Sequence, residues 1–213
     1  MIFNSFQFAV FFIIIYCLYL VLNHKLQNRM LLAASYIFYS AWNWRFLSLI
    51  LITTILHYIC GLRIHKSASD RERKSFLFLG IFASLSILGV FKYFNYFITS
   101  LESLLGHFGF PVHMRFLNIA LPLGISFYTF QTLSYTIDIY RKKMEPTRNY
   151  FDFSVFVAFF PLLLAGPIER ARHLLPQIIS PRKPTLNKFY EGSYLIFYGL
   201  FQKMFVADNL SRL

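Results

Sequence analysis

LPLGISFYTFQTLSYTIDIYRKK, residues 121–143, is a membrane-length apolar run that carries a glutamine and an aspartate. Such groups are expensive in lipid and mark protein-facing or functional positions. A helix advances 100° per residue, so Gly124, Tyr128, Gln131, Tyr135 and Asp138 fall within about 80° of one another and form one polar stripe. The stripe should face protein or water. Two readings stand: it bridges neighbouring helices, with Asp138 pairing with Arg141 or Lys142 near the interface, or it serves a functional site.

The rest of the composition agrees with a membrane setting. The 213 residues are 57% hydrophobic and 14% charged, with 27 Phe and 14 Tyr, which excludes an ordinary soluble domain. The first segment, 2–22, is uncharged, follows no basic region and precedes no small-residue cleavage site, so it reads as a retained span. Cys17 and Cys60 both lie in apolar runs, which supports neither a disulfide framework nor a cysteine metal site. The net charge of +12 sits in short loops between apolar runs, a topology signal that argues against nucleic-acid binding.

Apolar segments fall at about 5–22, 30–44, 46–62, 76–100, 119–140, 151–165 and 189–207. The expected fold is an all-α polytopic transmembrane bundle of six to seven segments, because an open strand cannot satisfy its backbone in lipid. It forms a single membrane-embedded domain, with no internal repeat and no soluble module. The second and third segments fall short of the ~20 residues of an upright span, which predicts a tilted or bent hairpin. Loops 23–29, 63–75 and 141–150 are rich in Lys and Arg, whereas 101–118 has Arg115 alone. The positive-inside rule then puts the first three in the cytoplasm and the N-terminus outside.

Segment 151–165 breaks that pattern if it crosses fully, because Arg170, Arg172, Arg182, Lys183 and Lys188 would land outside. It is short, contains Pro161 and ends in Ala165, Gly166 and Pro167, a helix-terminating sequence. A re-entrant hairpin resolves the conflict. Irregular backbone at membrane depth must be buried in protein or line a cavity, so 151–170 is expected to line an internal cavity.

Signatures of soluble enzymes are absent: there is no phosphate-binding glycine loop, zinc-binding helix or nucleophile elbow. Of the six histidines, His24, His65 and His173 lie in basic loops and read as solvated or headgroup-facing, while His107 and His113 flank Gly109 and Pro111 without ligand spacing. His57 sits in an apolar run, where it is either a general base facing a wet cavity or a hydrogen-bonded structural residue, the reading favoured here. Lys92 is placed to snorkel from its segment.

Three stretches together resemble a known family. The run 121–143, then FFPLLLAGPIERARHLLPQ at 159–177 and ADNL at 207–210, is similar to the membrane-bound O-acyltransferases, in the bacterial branch with alginate O-acetyltransferase and the D-alanyl transfer protein of teichoic acid synthesis. The stretch RMLLAASYIFYSAWNWRFLSLILITTILHYICGL at 29–62 resembles that family's early helices.

The resemblance implies a many-helix bundle around a tunnel in a bacterial inner membrane, transferring an acyl group from a cytoplasmic-side donor to a hydroxyl of a cell-surface or exported polysaccharide. The donor would be acetyl-CoA or another acyl thioester acting as substrate, with no bound cofactor and no metal. Implied partners are the bilayer, an acyl-donor carrier, polysaccharide-acetylation proteins and the polymer. The family's catalytic histidine lies beyond the ADNL-like motif, so the resemblance implies an N-terminal portion with no catalytic residue of its own, inactive alone. Tyr128, Gln131, Tyr135 and Asp138 would then line the tunnel, Gly166 and Pro167 would set the re-entrant bend, and Glu169 or Arg170 would orient it. D-alanyl transfer to teichoic acid and a non-catalytic scaffold or transporter-like role remain the alternative expectations.

Overall fold

The computed structural model describes residues 3–108, 122–163, 166–167 and 169–211, and every regular element among them is helical. His113, Arg115, Ala165 and the start of the 119–140 segment lie outside the described residues. Helix α1 spans Phe6–Val21 and α2 His24–Asn43; Ser5 and Asn23 cap them, their side-chain oxygens accepting from the backbone N–H groups of Phe8 and Leu26. A tight turn at Trp44–Phe46 leads into α3, Leu47–Lys66. Both α2 and α3 run 20 residues, so each reaches span length. The polar and basic residues at their outer ends, left out of the apolar count, continue the helices toward the headgroups.

Helix α4, Asp70–Leu88, continues through a π-type turn at Gly89–Tyr93 into α5, Phe94–His107. Together these cover 38 residues, about 57 Å of helix at 1.5 Å per residue, well beyond the ~30 Å of a hydrocarbon core. Helices α6 (Ile125–Tyr140), α7 (Tyr150–Ala158), α8 (Phe160–Leu163), α9 (Ala171–Ile179) and α10 (Leu186–Phe201) follow. The stretches His24–Lys66 and Asp70–His107 are long and apolar enough to cross a membrane, and with the shorter apolar helices they make a membrane bundle.

Directions follow from cross-links between distant residues. Arg73, in the first turn of α4, donates to the carbonyl of Tyr140 at the end of α6 (2.7 Å). Tyr58 in the lower half of α3 donates to the Arg148 carbonyl ahead of α7 (2.6 Å), and Asn28 near the start of α2 donates to Asp152 (2.8 Å). At the other end, Tyr39 donates to the Leu123 carbonyl just before α6 (3.1 Å). The basic connections around residues 23–29, 63–75, 141–150 and 180–183 therefore gather at one end of the bundle. That common end is the arrangement anticipated for a hairpin that enters and returns.

His57 pins three helices at mid-depth. Its Nδ1 lies 2.7 Å from Thr136 Oγ1 on α6 and its Nε2 2.7 Å from Ser84 Oγ on α4. The Thr136 hydroxyl already donates to the Thr132 carbonyl (3.2 Å), so it accepts from Nδ1–H, and Nε2 accepts from Ser84. Fully buried and engaged at both nitrogens, His57 is the structural residue favoured from sequence. Lys92 approaches Ser126 Oγ at 3.5 Å and lies over the Tyr93 ring, an outward position suited to snorkelling.

Candidate functional site

The polar stripe of α6 seats on the hairpin formed by α7, α8 and α9. Tyr128 and Tyr135 are 0% exposed, and Gln131 and Asp138 6%, so the stripe faces protein. Gly124 opens α6 with a left-handed φ of 74°, and a Cβ there would lie 2.4 Å from the Leu163 carbonyl oxygen at the end of α8. Only glycine meets both demands without strain. Gln131 Nε2 donates to the Phe156 carbonyl (2.8 Å), and the rings of Tyr135 and Phe153 lie 4.5 Å apart. In order along the helix, 124, 131 and 135 meet 163, 156 and 153. The two stretches that carry the resemblance are thus antiparallel neighbours.

This pairing solves the backbone problem of a broken helix at membrane depth. Pro161 has no N–H to give to Val157, so α7 stops at Ala158 and Phe159 turns extended (φ −54°, ψ 104°). The last carbonyls of α7 and the first N–H groups of α8 then lack helical partners. Gln131 takes the Phe156 carbonyl, while Ser35 on α2 accepts from Phe160 N (3.2 Å) and donates to the Leu31 carbonyl (2.7 Å). The Phe159 carbonyl accepts from Leu162 and Leu163 (3.0 Å each). Each group left open in lipid would cost several kcal/mol.

The base of the hairpin is closed by one amide. Asn28, buried on α2, donates from Nδ2 to Asp152 Oδ1 at the entry of α7 (2.8 Å) and to the Ile178 carbonyl at the exit of α9 (3.0 Å), and its Oδ1 accepts from Arg182. His24 lies at the basic end, half-buried, and reaches the Ile179 carbonyl (2.8 Å), so of the solvated and headgroup-facing readings it is not the fully solvated one. Entry and exit of the hairpin therefore sit at one level of α2. Sequence reasoning missed Asn28, Asp152 and Ser35; Asn28 beside Gln27 in an otherwise apolar helix was the available signal.

Other expectations need adjustment. Asp138 forms no ion pair with Arg141 or Lys142 among the described residues, and its Oδ2 has no partner: the chain leaves α6 at Arg141 and turns at Lys142 (φ 57°), with the Lys143 N–H returning to the Asp138 carbonyl (2.9 Å). Among the described residues, α2, α3, α6 and α9 pack against α7 and bury Asp152 through Ala158, so these side chains face protein and not an open cavity, while Phe151 stays exposed. Residues 159–161 instead border a groove of about 290 Å³ against α1. At the bend, Gly166 N donates to the Leu162 carbonyl (3.1 Å), and a Cβ on Gly166 would lie 2.7 Å from Leu162 Cα. Pro167 is exposed and Glu169 half-buried, while Arg170 starts α9 by accepting from His173 N through its carbonyl (2.9 Å).

His65, His107 and His173 are exposed, and no cluster of metal-ligating residues occurs among the described residues. The ADNL stretch stands apart from the hairpin, Asp208 pairing with Lys203 (2.5 Å) and Asn209 donating to the Phe205 carbonyl (2.6 Å). At the basic end, two hollows of about 900 and 720 Å³ flank the α3–α4 turn, one lined by Arg63 and Lys66, the other by His65, Lys142 and Lys143, with Glu72 and Glu145 among their acidic residues.

Known sequences give this arrangement, a broken hairpin clasped by a polar helix, a family. The chain belongs to the membrane-bound O-acyltransferases. It is similar to the probable alginate O-acetylase AlgI of Pseudomonas aeruginosa, 40% identical over 215 residues that take in 100% of this chain and 41% of that protein. The corresponding protein of Azotobacter vinelandii is 40% identical over 213 residues, 99% of this chain and 42% of its own length. The peptidoglycan O-acetyltransferase of Helicobacter pylori is 30% identical over 216 residues, covering 89% of this chain and 40% of that protein. The chain thus spans about two fifths of the length of these relatives. No family model matches the chain, and no solved structure matches it.

Proposed function

We propose that this chain is the helix-pinning, hairpin-bearing portion of a membrane O-acetyltransferase that esterifies hydroxyls of a cell-surface or exported polysaccharide. The observation that carries the reading is the α6–hairpin pairing, in which Gly124, Gln131 and Tyr135 meet Leu163, Phe156 and Phe153. That assembly holds non-helical backbone at membrane depth, as a protein-lined passage for an acyl group requires. An alginate-like acceptor is favoured over peptidoglycan by the 40% identity to the alginate O-acetylases against 30% to the peptidoglycan enzyme.

The basic end of the bundle would face the cytoplasm of a bacterial inner membrane, with the N-terminus outside. The hollows beside Arg63, Lys66, Lys142 and Lys143 would draw a polyanionic acyl thioester, acetyl-CoA or an acidic carrier protein, by charge. Proton removal from the acceptor hydroxyl needs a base such as histidine. His57 is committed to Thr136 and Ser84, which speaks against it as that base; on this reading the base lies in the further length that the relatives have, and the chain alone transfers no acetyl.

A chimera tests this reading. This chain replaces the matching stretch of the Pseudomonas alginate O-acetylase, and acetyl esters on secreted alginate are measured in cells lacking the native gene. The chimera is expected to restore esters, its Gly124→Val form to lose them, and the 213-residue chain alone to give none. Esters produced by the chain alone, or an inert chimera that inserts normally, would overturn the reading.

A further inference from the structure

The groove between α1 and the hairpin has the build of a lipid site. Phe12, Ile15, Tyr16 and Tyr19 recur at helical spacing on the inward face of α1 yet are only half-buried: α1 meets α8 nearer its N-terminus, where the Phe8 and Phe11 rings reach Phe160, and the next two turns border an open trough. From Phe12 to Tyr19 the gap runs about 10 Å along the helix. Its deep end is hydrocarbon, with Phe159, Phe160 and Pro161 opposite Phe12 and Ile15. Its polar groups collect at the basic end, where Gln177 and Arg182 join Tyr19.

Arg182 is the group that selects the occupant. Its guanidinium lies over the Tyr19 ring, 5.4 Å from the centroid, and donates to Asn28 Oδ1, while Nε has no partner. No carboxylate lies within 4.0 Å of it among the described residues, and Asp152 is reached only through the Asn28 amide. Lys25 and Arg29 on the same end of α2 add two further positive charges. A half-buried guanidinium beside more cations than anions, at the mouth of an apolar trough, calls for an anion with a hydrocarbon tail.

The geometry points to a bound anionic phospholipid, with its phosphate at Arg182 and one acyl chain lying along Phe12, Ile15 and Phe160. The lipid fills the trough and adds to the Phe8 and Phe11 ring contacts that already join α1 to Phe160. Neither the acyl donor nor the polysaccharide acceptor enters this assignment.

Native mass spectrometry of the delipidated 213-residue chain, titrated with dioleoyl phosphatidylglycerol and separately with dioleoyl phosphatidylcholine, tests it. The first lipid bound is expected to be the anionic one with roughly fivefold preference, the size of one basic side chain's contribution. Arg182→Gln should abolish the preference, Arg182→Lys should keep it, and Arg172→Gln, an exposed control, should leave it unchanged. Ile15→Trp should fill the trough and eliminate retention of both lipids. Equal retention of the two lipids by the unmodified chain, or a preference that survives Arg182→Gln, overturns the assignment. If Arg182→Gln loses helical content, the decision rests on Ile15→Trp, where lipid retention like that of the unmodified chain overturns it.

Discussion

Helices α6 and α10 each contain 16 residues, yet they invert the rule of a soluble protein. Helix α6 carries Gln131, Asp138 and three threonines and buries ten residues; α10 is rich in Phe, Tyr, Leu and Ile and buries none. In a lipid environment the costly groups go inside, where partners exist, and the aromatic surface stays outside. The difference is one of partners: α6 packs against α3, α4, α7 and α9, whereas α10 touches α1 through the Phe189 and Tyr16 rings, 5.9 Å apart. Burial here follows helix packing more closely than it follows apolarity.

Breaking the clasp at its tightest point gives the largest expected effect. Gly124→Val imposes a left-handed β-branched residue and drives a side chain into the Leu163 carbonyl, for a loss of about 3 kcal/mol in unfolding in mixed micelles. An unchanged unfolding midpoint would contradict the pairing of α6 with α8. Next, Asn28→Leu strips the amide from Asp152, Ile178 and Arg182, and about 2 to 3 kcal/mol should be lost. The same variant should make a cysteine at position 178, buried where Asn28 bonds the backbone, react faster with a membrane-impermeant maleimide added to the basic side. No change in that rate would show that the base of the hairpin is held by other contacts.

Ser84→Ala sharpens the comparison at a smaller scale. It leaves His57 Nε2 without its donor inside the bundle, for about 1 kcal/mol by the same unfolding measurement. At the bottom of the series, Ile196→Ala on α10 should shift stability by less than about 0.5 kcal/mol, the range of a surface position. A cost as large as that of Asn28→Leu would mean that α10 is as tightly partnered as α6.

The local devices were legible from residue order. Helical periodicity alone placed Gly124, Tyr128, Gln131, Tyr135 and Asp138 on one inward face, and charge placement with Pro161 indicated that the 151–165 segment does not simply cross. What stayed hidden was which groups meet across long separations. Asn28 finds Asp152 124 residues on, and Ser35 finds Phe160 125 residues on. Neither pairing leaves a periodic trace. The Asp138 ion pair was misjudged because sequence proximity to Arg141 and Lys142 says nothing of the turn that carries those residues away. The space around α7 was misjudged because two of the helices that pack it, α2 and α3, come from segments about a hundred residues earlier in the chain.

Asn28 also sets a schedule for biogenesis. It leaves the ribosome 124 residues before Asp152 and 154 before Arg182, so at roughly 5–20 residues per second α2 waits about 6 to 30 s for the groups that complete its amide. During that interval Asn28 and Ser35 lack their hairpin counterparts, and α2 depends on the insertion machinery to shelter them from lipid.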